Sequence, residues 1–282
     1  MRYPNSASGI QPLVLGVLGV RVRHMNTDRF KGKSILITGG AGGLGSQIAR
    51  SVVAQGGKVG ILDTNESAIA TLVSELNSVG NVAAGEIVDV RDAKSVDTAI
   101  NSLAKSLGSI DVLIAAAGGS LGTPRDLDDI SEADFDLVMD VNVKGTFNCA
   151  RSVIPHMKKS GGGSIVTFSS IGGRSASPVT GVPYATAKAA ILGLTRRLAK
   201  EVGEFNIRVN AIAPGLFLTD RLEGMFNEMS KSDQSEVISA IPLGRMPKLK
   251  ECVDPVLFLA SDESSYITGT VLDVNGGRLM PN

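Results

Sequence analysis

The sequence predicts an α/β protein: a doubly wound parallel sheet of about seven strands, with helices on both faces. Three observations carry that expectation. From residue 33 onward, short apolar runs alternate with longer amphipathic segments. The short runs are apolar at consecutive positions, the pattern of strands covered on both sides. The alternation repeats six times with no linker or shift of composition, and right-handed crossovers turn such a repeat into one parallel sheet.

The expected strands are 34–38 (SILIT), 58–62 (KVGIL), 82–88 (VAAGEIV), 111–115 (DVLIA), 164–169 (SIVTFS), 208–212 (RVNAI) and 270–274 (TVLDV). Each is too short for a stable helix. The segments between them, 44–55, 66–78, 93–107, 132–159, 184–202 and 250–259, are each ten residues or longer, and so are read as helices. In such a sheet a ligand is expected in the crevice beyond the carboxyl ends of the strands.

Composition removes several function classes. Lys and Arg number 28 against 28 Asp and Glu, so no basic stripe is available for a nucleic-acid backbone. Cys149 and Cys252 lie far apart in sequence, and the only histidines are His24 and His156. No disulfide framework and no zinc site is expected from that set. The most apolar stretch, 13–20, is eight residues with two glycines, against the roughly 20 a spanning helix needs. The first 30 residues hold Arg2, Arg21, Arg23 and His24, with no acidic residue before Asp28. Such a composition fits a targeting leader, a non-functional extension, or a misplaced start ahead of Met25; a secretory signal is disfavoured because no small-residue cleavage site follows the apolar run. Residues 1–30 are therefore set apart from the fold. Residues 31–282 are read as one domain, cytoplasmic unless the first 25 residues address an organelle.

The first strand runs into Thr38-Gly39-Gly40-Ala41-Gly42-Gly43-Leu44-Gly45, and a helix follows. Glycines in a strand–loop–helix setting allow a tight turn and let backbone N–H groups approach a pyrophosphate. Three templates fit at once: Gly40, Gly42 and Gly45; Gly39, Gly42 and Gly45; and Gly39, Gly43 and Gly45. Eighteen residues past Gly45, the second strand ends at Asp63. A carboxylate there accepts hydrogen bonds from ribose hydroxyls and repels a 2′-phosphate, so NAD is expected over NADP. The bland alternative for Asp63 is a helix N-cap.

Tyr184-Ala185-Thr186-Ala187-Lys188 sets a phenol and an ammonium on one face of a predicted helix. A free tyrosine titrates near 10, and a neighbouring cation makes its phenolate accessible to acid–base work. Chance supplies this spacing about once in seven such chains, so the neighbourhood matters. The strand 164–168 runs into Ser169-Ser170, fourteen residues before Tyr184.

With these residues in order, the chain resembles the short-chain dehydrogenase/reductase family in its compact single-domain branch, over about residues 33–277. The matching motifs are Thr38–Gly45, Asp63, Asp89-Val90, Asn142, Ser170, Tyr184 with Lys188, Pro214-Gly215 with Thr219, and Asn275-Gly276-Gly277. The resemblance implies a Rossmann-like fold and a catalytic set of Ser170, Tyr184, Lys188 and Asn142. Ser170 then bonds the substrate oxygen, Tyr184 exchanges its proton, Lys188 lowers the tyrosine pKa and holds the nicotinamide ribose, and Asn142 positions a relay water. It also implies cofactor contacts at Gly39, Gly43, Leu44, Gly45, Asp63, Asp89, Val90, Gly118, Tyr184, Lys188, Pro214, Gly215 and Thr219. Two departures stand out. Ala115-Ala116-Ala117-Gly118 replaces the usual Asn-Asn-Ala-Gly, and Ser170 is one residue farther from Tyr184 than in many members, which leaves Ser169 as a substitute.

The resemblance further implies a lid at about 216–247, with Leu216, Phe217, Leu222, Met225, Phe226 and Met229 as an apolar stripe over the substrate or onto the body. It implies a homotetramer or homodimer with the helices carrying Asn142 and Tyr184 at an interface. The activity expected is hydride transfer between NAD(H) and a secondary alcohol or ketone. The alternatives are an NADPH-linked 3-oxoacyl thioester reductase of the acyl-carrier-protein type, and a catalytically silent dinucleotide-binding regulator.

Overall fold

A computed structural model of the protein describes residues 28–80, 82–176, 180–217, 220–228 and 230–280. In chain order its elements are β1 (Ser34–Thr38), α1 (Gly43–Val53), β2 (Lys58–Asp63), α2 (Glu66–Asn77), β3 (Ala83–Ile87), α3 (Ala93–Leu107) and β4 (Val112–Ala115). There follow α4 (Glu132–Met139), α5 (Gly145–Lys159), β5 (Gly163–Phe168), α6 (Val182–Val202), β6 (Ile207–Pro214), α7 (Asp220–Glu228), α8 (Lys231–Ser239), α9 (Lys250–Ala260) and β7 (Val271–Val274). The strands form one parallel sheet in the order β3-β2-β1-β4-β5-β6-β7. The chain order reverses where β1 pairs with β4, and a doubly wound sheet opens its ligand crevice at that point.

Successive side chains of a strand point to opposite faces, and β1 divides its apolar residues accordingly. Ile35 and Ile37 enter one core with α1, α2 and α9; Leu36 enters the other with α3 and α5. Full burial of each such side chain is worth about 1.5–3 kcal/mol. Cys252 belongs to the first core and Cys149 to the second, so the sheet separates the two thiols; burial pushes each up to about 12. No helix among the described residues is long and apolar enough to cross a membrane.

Three boundaries differ from the sequence reading. The folded body begins before residue 31: Phe30 is 1% exposed within the first core, its N–H donates to Gln55 O, and Arg29 pairs with Glu263. A lone aromatic in a polar context carries no period, which hides it from pattern reading. The helix expected over 132–159 is interrupted at Asp140–Lys144 by a π-helical turn, and Asn142 lies inside it. Such bulges recur at functional sites. In the lid region Leu216 and Phe217 precede the two helices α7 and α8, and Phe217 is buried in the first core while Phe226 is half-buried. Residues 1–27 lie outside the described residues, with Arg2, Arg21, Arg23, His24 and Met25. So do Thr219, Met229 and the side chains of Leu222 and Met225.

Candidate active site

The cofactor side of the crevice is built at the end of β1. Gly39 has φ +62, and a Cβ on it would meet Ala117 Cα at 2.9 Å. A Cβ on Gly45 would lie 2.2 Å from Gly39 O. A Cβ on Gly40 would likewise lie 2.7 Å from Ile37 O, so close contact requires glycine at 39, 40 and 45 and does not choose among the three templates. By contrast, a Cβ on Gly42 meets nothing closer than 3.5 Å. Helix α1 then starts at Gly43 with Gly42 as N-cap, no side-chain cap and no acidic residue in its first turn. The other early helices are capped: α2 by Asn65, α3 by Asp92, α4 by a Ser131–Asp134 capping box. An uncapped N-terminus presents N–H donors and a positive dipole end, which suits a phosphate group.

Asp63 closes the other wall. Its Oδ2 accepts from Ala41 N of the glycine loop at 3.1 Å, and its Oδ1 accepts from Thr64 N at 2.8 Å and Asn65 N at 3.2 Å. The α2 cap is Asn65, whose Oδ1 accepts from Ala68 N, so Asp63 is not a helix cap. Asp89 is gripped by Arg91, whose guanidinium lies 2.6 Å away and holds the Asp89 carboxyl below its usual range. Val90 packs its side chain against Gly145, and its carbonyl accepts from Asn148 Nδ2 at 2.9 Å. At the far side Gly215 N donates to Val274 O at 2.8 Å, which holds Pro214-Gly215 against β7.

The reactive cluster lies at the end of β5. Ser170 Oγ accepts from Gly172 N at 3.1 Å, and the Ser170 side chain lies near enough to the Tyr184 phenol to lower its pKa. Helix α6 carries Tyr184 and Lys188 one turn apart, and its backbone lies so close to the serine turn that a Cβ on Gly173 would be 2.4 Å from Lys188 C. Lys188 is 5% exposed; its Nζ donates to Phe168 O at 2.9 Å and lies 5.6 Å from the Tyr184 ring centre. Burial lowers its pKa to about 8. Tyr184 differs from expectation: burial raises its pKa, and the Ser170 bond offsets that only in part. The ammonium is held by a backbone carbonyl, and desolvation of the phenolate outweighs the remaining help.

Asn142 is 1% exposed, and both ends of its amide are engaged. Oδ1 accepts from Gly119 N at 3.0 Å, while Nδ2 donates to Gly119 O at 3.0 Å and Val138 O at 2.8 Å. The side chain is a clamp on the strand-end backbone. Gly118, with φ +144, lies beneath it: a Cβ there would come 2.3 Å from Asn142 Oδ1 and 3.4 Å from Lys188 Nζ. Ser169 is removed as a substitute for Ser170. It is 3% exposed and its hydroxyl donates to Lys188 O at 2.7 Å, on the core side. Sequence reasoning passed over Gly119 and Gly173, whose roles rest on approaches between distant segments.

A family model described as enoyl-(acyl carrier protein) reductase matches residues 39–278. The chain belongs to the short-chain dehydrogenase/reductase family. Among members of this oxidoreductase family it is 37% identical to the 3-oxoacyl-[acyl-carrier-protein] reductase FabG of Thermotoga maritima, over 89% of this chain and 100% of that one. It is 34% identical to a 2-dehydro-3-deoxy-L-rhamnonate dehydrogenase (NAD(+)) of a Sphingomonas species, over 89% and 96% of the two chains. The solved structure of a 3-oxoacyl-[acyl-carrier protein] reductase from Brucella melitensis superposes with a TM-score of 0.82 at 32% identity, covering 99% of this chain and all of that one. In this short-chain dehydrogenase the alanines at 115–117 are accommodated by backbone: Ala115 pairs with Thr38 across the β1–β4 seam, and Ala117 N donates to Thr38 Oγ1 at 3.0 Å.

Proposed function

We propose that this short-chain dehydrogenase/reductase moves a hydride between NAD(H) and a secondary alcohol or ketone, with Tyr184 as general acid and base. The observation that carries the reading is Ser170 beside the Tyr184 phenol and buried Lys188, at the crevice beyond the ends of the paired strands β1 and β4. The cradle fits a dinucleotide: the uncapped N-terminus of α1, with Gly39, Gly43, Leu44 and Gly45, would hold the pyrophosphate. Asp63 and Val90 hold the adenosine end, as does Asp89 through whatever acceptor capacity Arg91 leaves it. Gly118, Lys188, Tyr184, Pro214 and Gly215 would hold the nicotinamide end. When bound, the nicotinamide supplies the hydride acceptor or donor.

In the reducing direction the raised pKa keeps Tyr184 protonated, so its phenol delivers a proton to the ketone oxygen while the Ser170 hydroxyl bonds that same oxygen. In the oxidising direction Tyr184 must take the alcohol proton, and it then depends on nearby positive charge to stabilise the phenolate. Asn142 keeps the Gly118-Gly119 backbone in place behind Lys188. The Asp63 carboxylate opposes a 2′-phosphate, which favours NAD.

Likeness to the two 3-oxoacyl reductases favours a second reading, reduction of a 3-oxoacyl thioester. Cofactor consumption with NADH and NADPH in parallel, over ketones, alcohols and acetoacetyl-CoA, separates the two. Turnover of simple ketones with NADH supports the first, turnover of the thioester with NADPH the second, and NADH binding without any turnover a silent regulator. A homo-oligomer is inferred from Phe135 on α4, Phe147 on α5 and Val182 on α6, large apolar side chains left exposed; light scattering tests it.

A further inference from the structure

One ion pair stands apart from the others. Arg174 Nη1 lies 3.1 Å from Asp273 Oδ2, with the two side chains 19% and 20% exposed. In every other ion pair among the described residues at least one partner is 45% exposed or more. Asp273 Oδ1 is buried and has no hydrogen-bond partner among the described residues. Burial pushes the Asp273 carboxyl up, and Arg174 offsets this only in part. A half-satisfied, half-buried pair is a poor source of stability, so its place in the fold is informative.

Arg174 closes the turn that Ser170 opens. Gly173 N donates to Ser170 O at 3.0 Å, Arg174 N donates to Ile171 O at 3.1 Å, and within the turn Gly172 N donates to Ser170 Oγ. Asp273 lies on β7 opposite Ala213 of β6, one residue before Val274, whose carbonyl accepts from Gly215 N. The pair therefore ties the serine turn to the same strand that holds Pro214-Gly215. We infer that Arg174 and Asp273 are positioning residues, which fix the turn 170–174 against β7 and keep the Ser170 hydroxyl aligned on the Tyr184 phenol. This rests on the proposed roles of Ser170 and Tyr184, and neither Arg174 nor Asp273 is placed on the reacting atoms.

The test reads Tyr184 without any substrate. The chain has three tyrosines, Tyr3, Tyr184 and Tyr266. Replacing the other two by Phe leaves one phenol, whose 13Cζ resonance reports hydrogen bonding and ionisation from pH 7 upward. In this background Asp273→Asn and Arg174→Gln are expected to change the resonance at neutral pH and raise its ionisation midpoint by about one unit, Arg174→Lys by less. Arg245→Gln, which breaks the exposed pair with Glu251, is the control and is expected to leave the resonance unmoved. An unchanged Tyr184 resonance in folded Asp273→Asn or Arg174→Gln overturns the inference, as does an equal change in Arg245→Gln. Should those two variants fail to fold, Arg174→Lys decides by the same criterion. A wild-type protein that turns nothing over, yet shows the shift, defeats the hydride-transfer reading and leaves the positioning role standing.

Discussion

Lys188 Nζ donates to Phe168 O at 2.9 Å, so the cation of α6 is fastened to the end of β5 and not to the phenol one turn away. Burial sets its pKa at about 8, below the ordinary 10.5. The folded protein sheds this proton first, and between about pH 8 and 10.5 the unfolded chain holds more protons. The penalty for burying the charge is therefore full below pH 8 and is relieved as the pH rises through that window. Lys188→Met is expected to raise stability at pH 7 by up to about 3 kcal/mol, less the lost bond to Phe168 O, while abolishing turnover. Denaturant unfolding at pH 7 and 10 checks this: the gain is largest at pH 7. In the wild type, kcat/KM is expected to fall above about pH 8, since that ratio reports the free enzyme.

The Asn142 clamp gives a prediction of opposite sign. Asn142→Ala leaves Gly119 N, Gly119 O and Val138 O short of partners in a buried place. Each unsatisfied group costs about 1–3 kcal/mol. The variant is expected to melt several degrees lower and to lose turnover beyond that loss, because Gly118 backs Lys188. Thermal melts with and without NADH, alongside kcat at a temperature where the variant is fully folded, separate the two effects.

In the proposed function Asp63 is the residue that sets the choice of dinucleotide. Asp63→Ala is expected to weaken NADH by about tenfold, the worth of a hydrogen bond to a charged group, and to narrow the gap to NADPH. Titrations of both cofactors by nicotinamide fluorescence measure this. Wild-type protein that binds NADPH more tightly than NADH contradicts the assignment.

The adjacent serines are expected to behave differently. Ser170→Ala removes the hydroxyl on the phenol and lowers kcat by about 10² or more. Ser169→Ala removes the bond to Lys188 O and costs about 1 kcal/mol of stability with kcat nearly kept. Kinetics and melting of the two variants, made side by side, decide which serine serves the reaction.

The sheet was legible in the sequence because its signal is local: runs such as SILIT and DVLIA need only their own residues to be read, and all seven strands lie where those runs fall. Ser170, Tyr184 and Lys188 were legible because they follow one another within a strand, a turn and a helix. The two-ended grip of Asn142 on Gly119, the close approach of Gly173 to Lys188 and the Arg174–Asp273 pair were not. Each joins segments whose meeting is set by tertiary packing, and none leaves a periodic trace. Phe30 escaped for the same reason, since its burial depends on α1 and β2 closing over it. The direction of the Tyr184 pKa was missed because a motif names the neighbouring cation but not the depth of burial around the phenol.

The proposed hydride transfer turns on Tyr184, and Tyr184→Phe tests it most directly. With any substrate that the wild-type protein turns over with NADH, the variant is expected still to bind NADH and to lose about 10²–10⁴ in kcat. A Tyr184→Phe protein that keeps wild-type kcat would contradict the central claim.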